Sequence, residues 1–240
     1  SPAPVITPGI HARVLREVIQ PVMQGMAAKG TPYTGFLYAG LMVGRDGVTK
    51  VLEFNCRLGD PETQPIMLRL KSDLLDVLDA AVDGKLDTAE ADWDRRAALG
   101  VVMAAAGYPE SPRKGDPIDI RVPAAEDSHV FHAGTALREN QVQTDGGRVL
   151  CVTALGDSIK MAQRRAYQII EGIRFNGMQF RKDIGHRAVA PQADAQTKSK
   201  AAPKTAWGDP DIGGAYAEFT TAPLERPAEL GDREFYSSQE

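Results

Sequence analysis

Glu53 and Asn55 stand two residues apart at the end of an apolar run, and Arg57, Gly59, Asp60, Pro61 and Glu62 follow them. On a strand, residues i and i+2 point to one face, so Glu53 and Asn55 project together while Phe54 points the other way. One charged and one neutral oxygen donor on one face suit Mg²⁺, a hard cation that takes few protein oxygens and completes its shell with phosphates. The preceding run reads as a buried strand, and polar atoms at the end of such a strand are costly unless something binds them. Conflicts of this kind mark functional sites. Arg57 offers a planar fork for a carboxylate or phosphate, and Gly59 lets backbone and ligand approach closely. Asp60 before Pro61 reads as a helix opening, with Asp at the N-cap and Pro at the first helical position. Glu62, in the first turn, suits the positive end of the helix dipole. The structural alternative is a plain strand–turn–helix joint in which Arg57 pairs with Asp60.

The elements around this stretch follow from periodicity. From Gly9 to Ala28, Val14, Val18 and Val22 recur every fourth residue, which predicts a helix that Pro21 kinks or divides and Gly30 ends. Residues 36–41 read as a central strand, apolar on both sides. Arg45-Asp46-Gly47 is a turn signal, and Thr49 to Asn55 is the returning strand of a hairpin. A short helix is expected over 61–70. A second, capped by Ser72, carries a stripe of Leu74, Leu75, Leu78 and Val82 up to Gly84. The polar stretch 83–94 reads as a surface connection. Beyond it the pattern turns β-rich, with strands expected over 99–105, 118–122, 130–135, 141–144 and 148–154. A helix capped by Asp157 or Ser158 carries Ile159, Ala162, Ala166, Ile169 and Ile170, and a last strand is expected over 175–180. The fold class is α+β.

Composition narrows the function classes. With 240 residues the chain can bury a core as one or two domains. No apolar run approaches the roughly 18–20 residues that span a bilayer, so no membrane role is expected. The formal net charge of −4 argues against a nucleic-acid binder. That excess sits in residues 191–240, which hold nine acidic and five basic side chains; the remaining 23 of each sign cancel. Rich in Ala and Pro and poor in branched aliphatics, 191–240 reads as a disordered tail. Cys56 and Cys151 form no disulfide framework, and reduced thiols fit a cytoplasmic protein. Cys56 alternates away from Glu53 and Asn55 and reads as a small buried thiol rather than a nucleophile. The four histidines do not converge at metal-ligand spacing, and Arg113 and Lys114 read as solvated loop residues. The opening Ser1-Pro2-Ala3-Pro4 has neither Met nor a signal pattern, which suggests a piece of a longer protein.

The unbroken run Arg57-Leu58-Gly59-Asp60-Pro61-Glu62-Thr63-Gln64 resembles the signature of the phosphoribosylamine–glycine ligase family, ATP-grasp enzymes of purine biosynthesis. The resemblance extends from Ser1 to about Ala190 through Tyr33-Thr34-Gly35-Phe36-Leu37-Tyr38-Ala39-Gly40, Leu99-Gly100-Val101-Val102-Met103-Ala104-Ala105, Phe131-His132-Ala133-Gly134-Thr135 and Gly146-Gly147-Arg148-Val149-Leu150. It implies that residues 1–95 are the carboxy-terminal part of an ATP-grasp domain, 96–190 a small α+β carboxy-terminal domain, and 191–240 the tail. It implies ATP-dependent joining of glycine to 5-phosphoribosylamine through a glycyl phosphate, giving glycinamide ribonucleotide. Mg²⁺ or Mn²⁺ would be held by Glu53 and Asn55, with Asn55 also on the cofactor side. Arg57 and Asp60 would hold the glycine and phosphoribosylamine side of the site or orient the metal ligands, and Glu62 would serve the helix end. Neither the family's amino-terminal domain nor its Gly-rich ATP lid is present in this sequence, so the chain alone is expected to be inactive. The alternatives are another ATP-grasp carboxylate ligase, which shares the Glu-x-Asn pair, or a noncatalytic fragment that serves as an interaction module.

Overall fold

The computed structural model describes residues 1–44 and 47–189. The expected tail, and Arg45 and Asp46 of the expected turn, lie outside the described residues.

The chain opens with helix α1 (Pro8–Val14), whose N-cap Thr7 accepts the Ile10 amide. A π turn over Leu15–Ile19 follows, and then α2 (Gln20–Ala28), with Pro21 in its first turn. Proline lacks an N–H and crowds the carbonyl four residues back. The wider π turn, in which the Gln20 amide reaches Leu15, falls at that point, so the helical path runs on to Ala28. Strands β1 (Tyr38–Val43) and β2 (Thr49–Asn55) form the expected antiparallel hairpin. Arg13 in α1 donates to the Gly47 carbonyl at 2.7 Å and ties the helix to the turn.

Two expectations fail here. β1 begins at Tyr38 rather than Phe36, and among the described residues its only strand partner is β2. β2 is not buried: Leu52 is 59% exposed, and Val51 and Phe54 are exposed as well. An apolar strand is buried only when a second layer covers it, and the described elements do not supply one over β2.

Helix α3 (Thr63–Arg69) starts after Glu62, not at Pro61, and α4 (Leu74–Val82) ends where Gly84 turns the chain at φ +69°. Asp73, not Ser72, caps α4 by accepting the Leu75 amide at 2.8 Å. Ser72 Oγ is occupied instead by the Asp92 amide at 2.7 Å. The connection 83–94 includes one 3₁₀ turn (Leu86–Thr88) and returns beside α3, where Arg69 donates to the carbonyls of Asp94 and Arg96.

The core lies in the second half. β3 (Ala97–Ala104), β8 (Arg148–Gly156) and β5 (Ser128–His132) form an antiparallel sheet in the order β3-β8-β5. Two smaller antiparallel pairs complete this half: β4 (Asp119–Ile120) with the distant β9 (Ile173–Arg174), and the hairpin of β6 (Thr135–Arg138) with β7 (Gln141–Thr144). The expected strand 130–135 is thus two strands. The expected strand 175–180 is absent: β9 ends at Arg174, and only a bridge from Gln179 to Ala104 follows.

Helix α5 (Ile159–Ile170), capped by Ser158, lays Ala162, Ala166 and Ile170 on one face of this sheet against Leu99, Val101, Met103, Val152 and Ala154. The last described helix is α6 (His186–Val189). The opposite face receives α3, and Gly100 makes that contact possible. A Cβ there would stand 3.1 Å from Cys151 Sγ and 3.2 Å from Pro65 Cγ. The helix that follows the signature therefore packs on the sheet of the second half.

Candidate functional site

Glu53 sits opposite Gly40 across the hairpin, where a Cβ would come within 2.9 Å of Glu53 Cγ, so glycine leaves room for the acidic side chain. The pairing slips one residue beside this pair, and such bulges re-aim side chains near functional sites. Asn55, the last residue of β2, accepts from Arg57 at 3.3 Å through Oδ1. Its Nδ2 is buried and has no hydrogen-bond partner. Arg57 is exposed and also donates to the Leu58 carbonyl at 3.2 Å. It does not pair with Asp60, as the plain joint would require.

Asp60 pairs instead with Arg148 of β8. The guanidinium lies 3.1 Å from the Asp60 carboxylate and donates to its carbonyl at 2.8 Å. This is a correction to the expected cap: the side chain that was to open α3 is turned toward the other half of the chain. Thr63 supplies the turn's closure by bonding back to the Gly59 carbonyl through both its amide and its hydroxyl.

Glu62 departs from its expected role. It precedes α3, yet its side chain makes no cap hydrogen bond. The carboxyl folds back over Gly59, where a Cβ would lie 2.2 Å from Oε2 and 3.0 Å from the Tyr38 ring. Gly59 is therefore needed to house the Glu62 carboxyl. Burial pushes the Glu62 carboxyl above its ordinary range and neighbouring Asp60 adds to the rise, while Arg148 and Arg57 oppose it. Oε1 is buried without a partner. The Tyr38 hydroxyl is pushed up to about 12 by burial and then by the carboxylates of Glu62 and Glu53. Tyr38, Glu53, Asn55, Arg57, Asp60, Glu62 and Arg148 thus share one electrostatic neighbourhood.

Sequence reasoning had no role for Tyr38 and Arg148. A tyrosine in an apolar strand gives no local signal, and the Asp60–Arg148 pair joins residues 88 positions apart. Cys56 also differs from expectation: it is exposed, because β2 ends at Asn55 and the alternation that would turn it inward stops there. Cys151 is buried, and burial pushes its thiol up to about 11. His132 is exposed and meets Thr135 Oγ1 at 3.2 Å. Arg113 is not merely solvated, since it bonds Asp116 at 2.7 Å and the Asn176 carbonyl at 3.0 Å. No group of three or more His, Cys, Asp and Glu that could hold a metal ion gathers among the described residues. No helix among them is long and apolar enough to cross a membrane.

The neighbourhood can hold a hard cation only with help. Glu53 and Asn55 offer oxygens of the right kind, but Asn55 Oδ1 is engaged by Arg57, and its unpartnered Nδ2 is a donor that suits a phosphate or carboxylate oxygen rather than a cation. Arg57 and Arg148 provide positive charge beside the carboxylates of Asp60 and Glu62, so the site can bind anions next to a cation or an amine.

Known proteins resemble this chain in sequence and fold. The family model described as phosphoribosylglycinamide synthetase, ATP-grasp (A) domain, matches residues 1–63, and that for the C domain of the same synthetase matches 98–187. A phosphoribosylamine–glycine ligase of Ralstonia nicotianae is 65% identical over 189 residues, covering 79% of this chain and 45% of the relative. One from Vibrio vulnificus is 58% identical over 191 residues, covering 79% and 44%. The chain thus spans less than half the length of these curated relatives. In crystal structures, phosphoribosylamine–glycine ligase from Thermotoga maritima matches with a TM-score of 0.63 at 35% identity, covering 76% of this chain and 45% of that one. Biotin carboxylase from Campylobacter jejuni matches with a TM-score of 0.54 at 12% identity, over 76% and 40%, a likeness of fold alone. The signature turn, the sheet it leans on and these matches place the chain in the phosphoribosylamine–glycine ligase family.

Proposed function

We propose that this chain supplies the metal-and-substrate end of a ligase that joins glycine to 5-phosphoribosylamine, with ATP as co-substrate. The observation that carries the reading is the unbroken Arg57-to-Gln64 run, folded so that Asn55, Arg57, Asp60 and Glu62 meet beside the Glu53 carboxylate. Amide formation from a carboxylate is uphill in water, so the glycine carboxylate is first phosphorylated and the amine then displaces phosphate. ADP, phosphate and glycinamide ribonucleotide leave. Both steps bring anions together, and the main task of the site is to position them and neutralise developing charge.

Glu53 and Asn55 would hold Mg²⁺ or Mn²⁺, which when bound supplies charge neutralisation at the phosphates. Arg57 orients the acyl or phosphate oxygens through its fork, and Asp60 lies on the amine side of the turn. Residues 1–95 form the ATP-grasp part, 96–190 the second domain, and α3 seats the first on the second. The partners are small molecules rather than nucleic acid or membrane, and the two unbridged thiols agree with a cytoplasmic setting.

The test is ADP release by the full polypeptide that carries residues 1–240, with glycine, phosphoribosylamine and Mg-ATP. Release that needs both glycine and the amine supports the reading. Release with bicarbonate or another carboxylate in place of glycine would transfer the chain to a different ATP-grasp chemistry.

A further inference from the structure

Gly146-Gly147-Arg148 has no role in that reaction, yet the fold spends several unusual features on it. Arg148 opens β8, where the register against β3 slips: Met103 faces Leu150, and Ala104 faces Arg148. Val149 is the extra residue, and both Val149 and Leu150 join the hydrophobic core. Without the slip, Arg148 would share the core face of Leu150 and Val152, where a guanidinium could not stay hydrated. The bulge instead brings it out on the α3 side of the sheet.

Its neighbours then fix its direction. Tyr108 Oη accepts from Arg148 Nε at 3.1 Å. The Tyr108 ring lies so close to Gly147 that a Cβ there would meet it at 2.5 Å, so glycine is what admits the ring. With Nε held, the far end of the guanidinium reaches Asp60, 3.1 Å from its carboxylate and 2.8 Å from its carbonyl. A planar fork suits this double duty and a lysine ammonium does not.

We infer that Arg148, carried by the second domain and aimed by Tyr108, is a positioning residue that holds the Asp60 turn. The substrate end of the site is therefore complete only when the second domain is docked. The kinetic arm of the test rests on the ligase reading above; the structural arm does not.

In the full polypeptide, Arg148→Gln is expected to speed hydrogen exchange at the amides of residues 57–63 by about tenfold, the scale of one lost charge-assisted bond. Amides of β3, β8 and α5 should keep their protection. Tyr108→Phe should shift the same segment less, and it carries the test if the arginine variant does not fold. Arg148→Lys should restore only part of the protection. In turnover, the KM for glycine or phosphoribosylamine should rise about tenfold while the KM for ATP stays put. In the exchange experiment, Asp60→Asn should add nothing at residues 57–63 in the Arg148→Gln background, because the two hold the turn as one unit.

Unchanged exchange at 57–63, or a loss spread evenly over β3, β8 and α5, overturns the inference. So does an active enzyme in which the KM values for glycine and the amine do not move. Faster exchange confined to 57–63 in a polypeptide without glycine-dependent ADP release would sink the ligase reading and leave the positioning role standing.

Discussion

Glu53 and Glu62 are both acidic, lie nine positions apart, and sit in opposite circumstances. Glu53 is exposed at the end of a strand, ready for a ligand; Glu62 is folded against Gly59 and Tyr38 with one oxygen unpartnered. Replacing Glu53 by Gln removes the charge and keeps the shape. We expect kcat/KM in the full polypeptide to fall by about 10²–10³-fold, as when one electrostatic contact to the transition state is lost, with melting temperature unchanged. A Mg²⁺ titration of turnover reads it; a variant with unaltered metal dependence would refute the ligand role.

Glu62 makes a different prediction, through pH. Its folded-state carboxyl is raised by burial, so the neutral form is favoured in the fold. The stability this contributes is fully present below the unfolded value of roughly 4.3 and is lost as pH rises through the higher folded value. Glu62→Gln lacks the titration. Relative to the variant, the parent protein should lose stability between acid and neutral pH, measured by thermal unfolding at both; parallel curves would show the carboxyl to be unperturbed.

At the level of elements, the second half is where substitutions should be felt. Met103 is fully buried between the sheet and α5, so Met103→Ala should cost about 2–5 kcal/mol in denaturant unfolding. Ser158 caps α5 by accepting the Met161 amide at 3.2 Å, and Ser158→Ala should cost about 1 kcal/mol. Val82 of α4 is 86% exposed, and its replacement by Ala should stay within roughly 0.5 kcal/mol. All of these elements were legible from periodicity. The α4 stripe of Leu74, Leu75, Leu78 and Val82 was legible too, but its burial was not: the same pattern that covers a core in α5 leaves all but the half-buried Leu74 open to solvent in α4. Periodicity reports which face is apolar, and only another element can cover it. Likewise Asp73 displaced Ser72 as the cap because Ser72 had a competing partner twenty residues away.

For the whole molecule, the exposed apolar residues gather in the first half, at Val51, Leu52 and Phe54 of β2 and along α4. Exposed patches and open strand edges invite association. The chain 1–240 on its own is expected to self-associate with rising concentration, and Leu52→Lys should reduce that, as read by sedimentation. It is also expected to show no ligase turnover, since it spans 45% of the length of its Ralstonia relative. Normal turnover by the isolated chain would overturn that expectation.

The sequence by itself determined the α+β class, the hairpin, the caps of α4 and α5 to within a residue and the common face of Glu53 and Asn55. Each of these depends on side-chain direction along a few consecutive residues, which local backbone geometry dictates. Tertiary structure alone decided that Asp60 turns to Arg148 rather than capping α3, that Tyr108 aims that arginine, and that Glu62 folds over Gly59. It also decided that Cys56 and β2 face solvent. Pairing and burial are set by elements distant in the chain, and no local pattern carries that information.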